Sequence, residues 1–371
     1  MMKIALTGLK GFPSKGGVER VGEAIAQALK ERYQFTVYCS ESYTPKDTRY
    51  PGINIVRLPC FAGKHMHPVT LNLFAALHAV LFGDYDLVHI HNAEACFVSP
   101  LLRLKFPVVA TSHGQGYDRD KWNPVAKRVM KMLDFFFIHF SNRATSVSLP
   151  DAENYGRRWR HEVQYLPNGV DDELVMDPES GRAILERHGV GREFVLFAAG
   201  RMDRTKGCHF LLEAFSRTNA ELDLVVIGDS DTDRPYIEML KSTTDARVKF
   251  IPFVERKADF LGIMSQARVF VFPSLYEAMS IVLLEAATLG IPIVASDIPA
   301  NTAILPEHVV YFRSGDSGDL EEKLRWVLAH PAAMAEMGRS SRQWVKDNFS
   351  WRKISERYDA LYQSVRRTAI N

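Results

Sequence analysis

Two glutamates with seven residues between them, Glu277 and Glu285, are the side chains whose spacing first suggests chemistry. The first follows a β-branched run, Val269–Phe272, that is typical of a buried parallel strand. The second falls in a helix expected after Ser280, whose amino-terminal N–H groups and positive partial charge favour an anion. Carboxylates beside a bound phosphate can accept hydrogen bonds from the hydroxyl groups of a sugar and of a ribose. The stretch therefore predicts a nucleotide-sugar site at the carboxyl end of a sheet.

Local signals predict the elements that would position these glutamates. Ser280 is a suitable N-cap, and Gly290 lies where helices commonly end in a left-handed residue. A second β-branched run, 291–295, predicts the next strand, and Pro292 within it prevents the helix from continuing. The alternative is a pair of solvated glutamates on an ordinary helix, and the strand, loop, helix and strand context favours a site.

Two cations and a histidine follow other predicted strands. Arg201 and Lys206 lie five residues apart in the loop after a strand that ends near Gly200, so both can contact one diphosphate. Each such charge-assisted hydrogen bond contributes about 1.5–3 kcal/mol. His113 ends the strand predicted at 108–112, where an imidazole can donate to a sugar hydroxyl or to a departing phosphate. A solvated loop and a satisfied core histidine are the respective alternatives.

These motifs together resemble those of the retaining nucleotide-sugar glycosyltransferases of family four. The resemblance rests on E-x7-E, on the G-R-x4-K-G run at 200–207, on Ser-His-Gly at 112–114 and on Pro-Asn-Gly-Val-Asp at 167–171. It implies an α/β protein of the GT-B fold, with two Rossmann-like doubly wound domains facing across a deep cleft. The implied domains are an acceptor domain at 1–171, a linker at 172–189 and a donor domain at 190–349. The C-terminal helix, 350–371, is expected to pack back on the acceptor domain.

The resemblance also implies a role for each matching residue. The donor diphosphate would contact Arg201, Lys206 and the helix at Ser280, the ribose would contact Glu285, and the sugar would contact residues 277–281. The implied catalytic residues are Glu277, His113, Arg201 and Lys206. The implied donor-binding residues are Gly16, Gly17, Gly200, Arg201, Lys206, Gly228, Val254, Ala278, Met279, Ser280, Ile281 and Glu285. The family commonly has Gly-Phe-Gly where this chain has Ala278-Met279-Ser280, so the identity of the donor cannot be carried over.

A glycine-rich turn, 8–17, follows the first predicted strand, where Rossmann-like domains bind phosphate. Its spacing is not G-x-G-x-x-G, and it has no Gly-Lys-Ser/Thr, so dinucleotide and P-loop functions are disfavoured. The turn resembles the Gly-Gly loop of the same family, and a plain tight turn is the alternative. The nearest match to a metal-bridging D-x-D is Asp229-Ser-Asp231, so neither a metal nor another cofactor is expected. His89 and His91 alternate on one strand, and packing is favoured over a metal pair.

Composition narrows the class of protein. Of the 371 residues 46% are hydrophobic and 24% are charged, and the net charge of +2 gives no reason to expect nucleic acid. Four cysteines without a C-x-x-C pair are typical of reduced thiols in a cytoplasmic protein. Neither a signal peptide nor an apolar run of about 20 residues is evident. We therefore expect a cytoplasmic protein, with peripheral attachment to the inner face of the membrane as an option.

A positive charge in the first half suggests an anionic surface as a partner. Residues 1–170 contain 21 Lys+Arg against 14 Asp+Glu, a net +7, whereas the remainder has a net −5. The predicted helix 123–140, with Asn123 as cap and Pro124 at its first position, groups Lys127, Arg128 and Lys131. Its other side is apolar, as in an interfacial membrane helix or in a core helix with a solvated basic face. Arg157-Arg-Trp-Arg160 adds a second basic and aromatic cluster and favours membrane contact.

The sequence therefore predicts transfer of a sugar from a nucleoside diphosphate sugar to a glycan or lipid-linked acceptor in cell-surface polysaccharide biosynthesis. A nucleotide-sugar epimerase of the same fold is one alternative. A non-catalytic nucleotide-sugar-binding subunit is the other, and the presence of Glu277, His113 and the basic pair argues against it.

Overall fold

The computed structural model describes residues 1–13, 16–63, 66–115, 124–191, 193–218, 221–229, 233–242 and 245–370, without the side chains of 124–127 and 367–370. The chain divides into two compact units. The N-terminal unit is Met1–Gly169 together with Trp351 onward, and the C-terminal unit is Val170–Ser350. The chain thus changes unit within two residues of the boundaries expected at 171 and 349.

Both units alternate strands with helices along the chain. The strands of the N-terminal unit are β1 Met2–Thr7, β2 Tyr33–Ser40, β3 Ile53–Leu58, β4 Leu87–His91, β5 Val108–Ser112, β6 Arg143–Ser146 and β7 Val163–Tyr165. Its helices are α1 Gly17–Leu29, α2 Met66–Phe82, α3 Ser99–Leu102, α4 Pro124–His139, α5 Leu149–Trp159 and the C-terminal α14 Trp351–Ile370, with a 3₁₀ helix at Ala93–Val98.

The C-terminal unit repeats this alternation. Its strands are β8 Phe194–Ala198, β9 Asp223–Ile227, β10 Val248–Ile251, β11 Val269–Phe272, β12 Ile293–Ser296 and β13 Val310–Phe312. Its helices are α6 Pro178–Arg187, α7 Cys208–Ser216, α8 Arg234–Lys241, α9 Lys257–Met264, α10 Ile281–Leu289, α11 Pro299–Ile304, α12 Ser317–Ala329 and α13 Pro331–Phe349.

Each unit is built on a parallel, doubly wound sheet. The strand orders are β3-β2-β1-β4-β5-β6-β7 and β10-β9-β8-β11-β12-β13, and the pairings between these strands are parallel. In each sheet the chain first adds strands on one side of the first strand of the unit and then continues on its other side, as in the Rossmann fold. This switch lies between β1 and β4 in one sheet and between β8 and β11 in the other. β8, β9, β11 and β12 are buried along their whole length, as strands covered on both faces by helices must be. The α/β, doubly wound prediction is confirmed.

The segment expected to be a linker, 172–189, contains a helix of the C-terminal unit, so that expectation is wrong. The Asp177 side chain accepts from the Ser180 N–H and caps α6, and Pro178 occupies its first turn. Gly181 lies so close to α9 that a Cβ there would be 2.6 Å from the Ile263 nitrogen. The acidic and polar composition that suggested a linker belongs to the outer face of this packed helix.

The C-terminal helix α14 belongs to the N-terminal unit. Its Asp359 carboxylate accepts from the Arg32 guanidinium at 2.7 Å, and Tyr358 and Tyr362 are fully buried.

Within the described residues, the helices are too short or too polar to cross a membrane. The predicted cap Asn123 and the side chain of Lys127 lie outside those residues.

Candidate active site

The residues predicted to contact the diphosphate and the sugar are in direct contact with each other. The Lys206 ammonium donates to the Glu277 carboxylate, with 2.6 Å between Nζ and Oε1. The same oxygen accepts from the Ser274 hydroxyl at 2.8 Å. The Lys206 and Glu277 side chains are 21% and 12% exposed, so the pair is largely withdrawn from water yet still accessible to a ligand. A pair in this setting interacts more strongly than one at the surface.

A glycine brings the Lys206 loop against the end of β11. Gly207 has φ +70°, and a Cβ at this position would lie 1.9 Å from the Pro273 carbonyl oxygen. The Leu275 N–H donates to the Thr205 carbonyl at 2.7 Å, which joins the loop after β8 to the loop after β11. These contacts depend on a residue without a side chain. Any substitution of Gly207 would therefore move Lys206 away from Glu277.

Arg201 lies in the same loop and is held by a carboxylate. Its Nε donates to Asp203 Oδ2 at 2.8 Å, and Asp203 also accepts from the Thr205 N–H at 3.1 Å. Burial raises the pKa of Asp203, but the Thr205 hydroxyl and the charges of Arg201 and Lys206 outweigh it, and the net pKa lies below the usual value. Asp203 is therefore ionised and fixes the loop that carries both cations. The sequence-based prediction missed this residue, although it stands between the two cations.

The helix after Glu277 begins and ends as predicted. The Ser280 hydroxyl accepts from the Leu283 N–H at 3.4 Å, and Gly290 ends α10 with φ +73°. The first N–H groups of α10, beginning at Ile281, point out of its amino-terminal end, where an anion is stabilised. Ala278 and Met279, which precede this N-cap, are 9% and 7% exposed.

A buried polar network supports the loop from behind. The Ser296 hydroxyl donates to the Ser274 carbonyl at 2.5 Å, and the Asn301 amide donates to Ser296 at both its carbonyl and its hydroxyl. All three residues are essentially inaccessible to solvent. The end of β11 is thus anchored to β12 and α11, which holds Ser274 in position to donate to Glu277.

The second glutamate, Glu285, is 1% exposed and has a different partner. The Lys257 ammonium lies 2.9 Å from its Oε1. Lys257 begins α9, shortly after Val254, which was expected to bind the donor, and it places a cation beside the expected ribose position. Sequence reasoning missed Lys257, and its place just after Val254 was the available signal.

The predicted donor-binding glycines differ in what they do. A Cβ at Gly200 would meet only Phe253, at 3.9 Å, so the packing of the chain itself does not require glycine there. Gly228 has φ +142° and would place a Cβ 2.2 Å from the Ala199 carbonyl oxygen, so packing alone explains that residue. Val254 follows β10 and is half-buried. Of the D-x-D near match, Ser230 and Asp231 lie outside the described residues.

In the N-terminal unit, Gly16 and Gly17 begin α1 beside an acidic group. A Cβ on Gly16 would be 2.4 Å from the Glu19 carboxylate, which accepts from the Lys10 N–H at 3.3 Å. Residues 14 and 15 of this loop lie outside the described part of the chain. Glu19 therefore adds a negative charge to a loop that was expected to approach phosphate.

His113 directly follows β5 and contacts a second histidine. Its Nε2 lies 3.0 Å from His91 Nδ1, and the two rings stack with centroids 5.3 Å apart. Burial lowers the pKa of His113 to about 3, and the pKa of His91 is lowered for the same reason. His91 Nε2 is buried and has no hydrogen-bond partner among the described residues, which favours a His91 proton on Nδ1. His91 then donates to His113, whose own proton is left on Nδ1.

His89 has a packing role, as favoured from the sequence. It is fully buried, with Nδ1 2.8 Å from the Tyr362 hydroxyl of α14 and Nε2 2.7 Å from the Thr111 hydroxyl. Burial lowers the pKa of His89 to about 3, and His113 acts in the same direction. Groups of three or more potential metal ligands do not occur within the described part of the chain.

The His89 pKa predicts a loss of stability in acid. Because the folded-state pKa lies below the unfolded value of about 6.5, the stabilisation is complete above pH 6.5 and is lost as the pH falls towards 3. At pH 5 the loss from His89 alone is about 2 kcal/mol. We expect His89→Gln to lower the free energy of unfolding at pH 7.5 but to flatten its decline between pH 6.5 and 5. Denaturant unfolding at each pH measures this.

His161→Gln, at an exposed position of the same unit, is the matched control for this substitution. Parallel pH profiles for the wild type and His89→Gln would contradict the assignment of a neutral, buried His89.

Comparisons with known proteins match both units. Residues 15–174 match the family model described as Glycosyltransferase Family 4, and residues 183–344 match Glycosyl transferases group 1. A relative from Mycolicibacterium smegmatis, a GDP-mannose-dependent alpha-(1-6)-phosphatidylinositol monomannoside mannosyltransferase, is 28% identical over 95% of this chain and 96% of its own. A relative from Escherichia coli, a UDP-Gal:alpha-D-GlcNAc-diphosphoundecaprenol alpha-1,3-galactosyltransferase, is 25% identical over 82% of each chain. These matches favour neither an epimerase nor a non-catalytic subunit.

Solved structures show the same fold at lower identity. Sucrose-phosphate synthase from Thermosynechococcus elongatus has a TM-score of 0.79 and 23% identity over 98% of this chain and 99% of its own. The Anabaena protein HepE, solved in complex with UDP-glucose, has a TM-score of 0.80 and 18% identity over 98% of this chain and 100% of its own. With two doubly wound units and with family models matching both, this chain is a family-four glycosyltransferase of the GT-B fold.

Proposed function

We propose that this glycosyltransferase moves a sugar, with retention of anomeric configuration, from a nucleoside diphosphate sugar to a lipid-linked or glycan acceptor in cell-surface polysaccharide biosynthesis. The observation that carries the proposal is the 2.6 Å contact between Lys206 and Glu277 beside the amino-terminal end of α10. A cation, a carboxylate and free helix N–H groups together suit a diphosphate joined to a sugar.

The proposed reaction follows from these groups. The bond between the anomeric carbon and the β-phosphate oxygen breaks, and the acceptor oxygen bonds to that carbon. Lys206, Arg201 and the N–H groups of α10 stabilise the charge that grows on the leaving diphosphate. A phosphate oxygen takes the acceptor proton, on the front-face route that the family resemblance implies. Glu277 orients Lys206 and accepts from a sugar hydroxyl, and it does not act as a nucleophile.

The relatives support the choice of substrates. The names of two of them describe transfer from GDP-mannose or UDP-galactose to phosphatidylinositol mannoside or to a diphosphoundecaprenol-linked sugar. Both of those acceptors carry a lipid, and we extend that class of acceptor to this chain. The glycan portion, the nucleotide base and the sugar differ between the relatives, so each has to be measured.

A transfer assay with a panel of nucleotide sugars tests the proposal. Each donor is first ranked by the rise it causes in the melting temperature, because binding to the folded state stabilises it. The best donor is then incubated with lipid-linked and free glycan acceptors, and the anomeric configuration of the product is read by NMR. We expect an α-configured donor to give an α-linked product. A β-linked product, or conversion of the donor without transfer, would contradict the proposal.

We also propose peripheral contact with an anionic membrane through α4. Arg128 and Lys131 are exposed on this helix, and so are the apolar Val129 and Met132, at 46% and 59%. The sequence left two interpretations of this helix, a core helix and an interfacial membrane helix. A core helix would have buried Val129 and Met132, so their exposure favours the interfacial membrane helix. Buried Asp134 lies on the side that faces the protein.

Removing the two basic residues should weaken binding to vesicles. Each basic residue near an anionic surface contributes about 1 kcal/mol, so Arg128→Ser with Lys131→Ser should weaken partitioning by roughly 30-fold at low salt. Co-sedimentation with vesicles of anionic and of neutral lipid measures this. Arg313→Ser with Arg339→Ser, two exposed arginines of the other unit, is the control. Equal binding by both double variants would contradict contact through α4.

A further inference from the structure

The N-terminal unit contains a cavity of about 960 Å³, and Gly17 is its only lining residue among those predicted to bind the donor. It lies among α1, α2, α4 and the 3₁₀ helix 93–98, at the carboxyl end of the sheet. Most of its lining residues are apolar. The larger apolar side chains among them are those of Leu71, Phe97, Met130, Leu133 and Phe136. Cavities of this size and character take small molecules.

Polar groups line the cavity where it meets the edge of the sheet. Lys10 follows β1, Asn92 and Glu94 follow β4, and Glu19 lies in the first turn of α1. An ammonium and two carboxylates of this kind suit a phosphate and sugar hydroxyls. The apolar lining comes instead from the helices. The cavity is therefore amphipathic, with a polar part at the sheet edge and an apolar part between α2 and α4.

The rim of the cavity is apolar and open to solvent. Val69 of α2 and Val129 and Met132 of α4 all line the cavity, and they are 44%, 46% and 59% exposed. Exposed Arg128 and Lys131 adjoin the two α4 residues in sequence. A hydrocarbon chain can enter through this rim while an anionic surface lies against the two cations.

The outer face of α2 continues the same apolar surface. Its exposed residues are all apolar: Met66, Val69, Leu73, Leu77, Leu81 and Phe82. Thr70 and Asn72 of the same helix are buried, which reverses the usual arrangement for a surface helix. A contiguous apolar patch of this kind marks a contact with a membrane or a ligand.

We propose that the cavity binds the hydrocarbon chain of a lipid-linked acceptor, with the acceptor's phosphate and sugar at the Lys10 and Glu19 end. This inference rests on the proposed function, which it extends from the donor to the lipid part of the acceptor. The amphipathic lining, the apolar rim and the neighbouring cations together match a molecule with an anionic head and a long apolar chain.

Dodecyl phosphate, below its critical micelle concentration, is the probe, and isothermal titration is the readout. We expect it to bind, and butyl phosphate to bind at least about ten-fold more weakly because it buries eight fewer methylene groups. Val69→Trp fills the rim and should weaken dodecyl phosphate binding at least about ten-fold. Met132→Trp, on the other side of the rim, repeats the test if Val69→Trp does not fold.

Leu81→Trp is the matched control, because Leu81 is exposed on α2 and does not line the cavity. Equal binding of butyl and dodecyl phosphate would show phosphate recognition alone and overturn the proposal. Equal loss in Leu81→Trp and Val69→Trp, or no loss in either rim variant, would show surface adsorption and also overturn it. The titration needs no nucleotide sugar, so failed sugar transfer with intact dodecyl phosphate binding would refute the proposed function alone.

Discussion

Lys206→Ala should lower the turnover number by roughly 10²-fold or more, because the ammonium is placed to stabilise charge that develops on the leaving diphosphate. The effect should appear in kcat as well as in kcat/KM, because the contact strengthens in the transition state. In the free protein Lys206 is held 2.6 Å from Glu277, so its position is set before the donor binds. Steady-state transfer with the best donor from the panel measures the effect.

Lys323→Ala is the matched control for Lys206→Ala. Lys323 belongs to the same unit and lies 3.1 Å from a carboxylate oxygen of Glu322, on a helix that carries none of the proposed donor contacts. The melting temperature of each variant shows whether it is folded, because Lys206→Ala also leaves the largely buried Glu277 without its cation. Near-normal transfer by a folded Lys206→Ala would remove Lys206 from the site.

The two glutamates should differ in which step they affect. Glu277→Gln should lower kcat by roughly 10²-fold, because it weakens the hold on Lys206 and a contact to the sugar. Glu285→Gln should chiefly weaken binding of the free nucleotide, because Glu285 is expected at the ribose. Titration of the nucleotide beside transfer kinetics separates the two roles.

Lys257→Ala provides a second test of the role of Glu285. Lys257 lies 2.9 Å from the Glu285 carboxylate, so its loss should reduce nucleotide affinity in the same direction as Glu285→Gln. Equal loss of nucleotide affinity in Glu277→Gln and Glu285→Gln would contradict the division of roles.

The sequence predicted the elements around the donor site because the signals there are local. Ser280 and Gly290 mark the ends of α10 through their own backbone preferences, and the β-branched run Val269–Phe272 matches β11. The spacing of Arg201 and Lys206 placed both in one loop, where the structure has them. Signals of this kind depend only on residues close together in the sequence, so they can be recognised without knowledge of the fold.

What the sequence did not predict depends on contacts between distant segments. Lys206 and Glu277 are 71 residues apart, and their direct contact depends on the Gly207 loop meeting Pro273. The Lys257–Glu285 pair likewise joins the first residue of α9 to α10. The helix α6 was mistaken for a linker because its polar face dominates its composition. The exposure of Leu73, Leu77 and Leu81 on α2 likewise depends on how the helix packs, which the sequence does not show.

The diphosphate contact is the central claim, and one titration tests it most directly. The affinities of a nucleoside diphosphate and of its monophosphate are measured for the wild type and for Lys206→Ala. We expect the wild type to prefer the diphosphate, and Lys206→Ala to reduce that preference by about 10- to 100-fold, the value of one charge-assisted hydrogen bond. An unchanged preference in a folded Lys206→Ala protein would place the diphosphate elsewhere and contradict the site described.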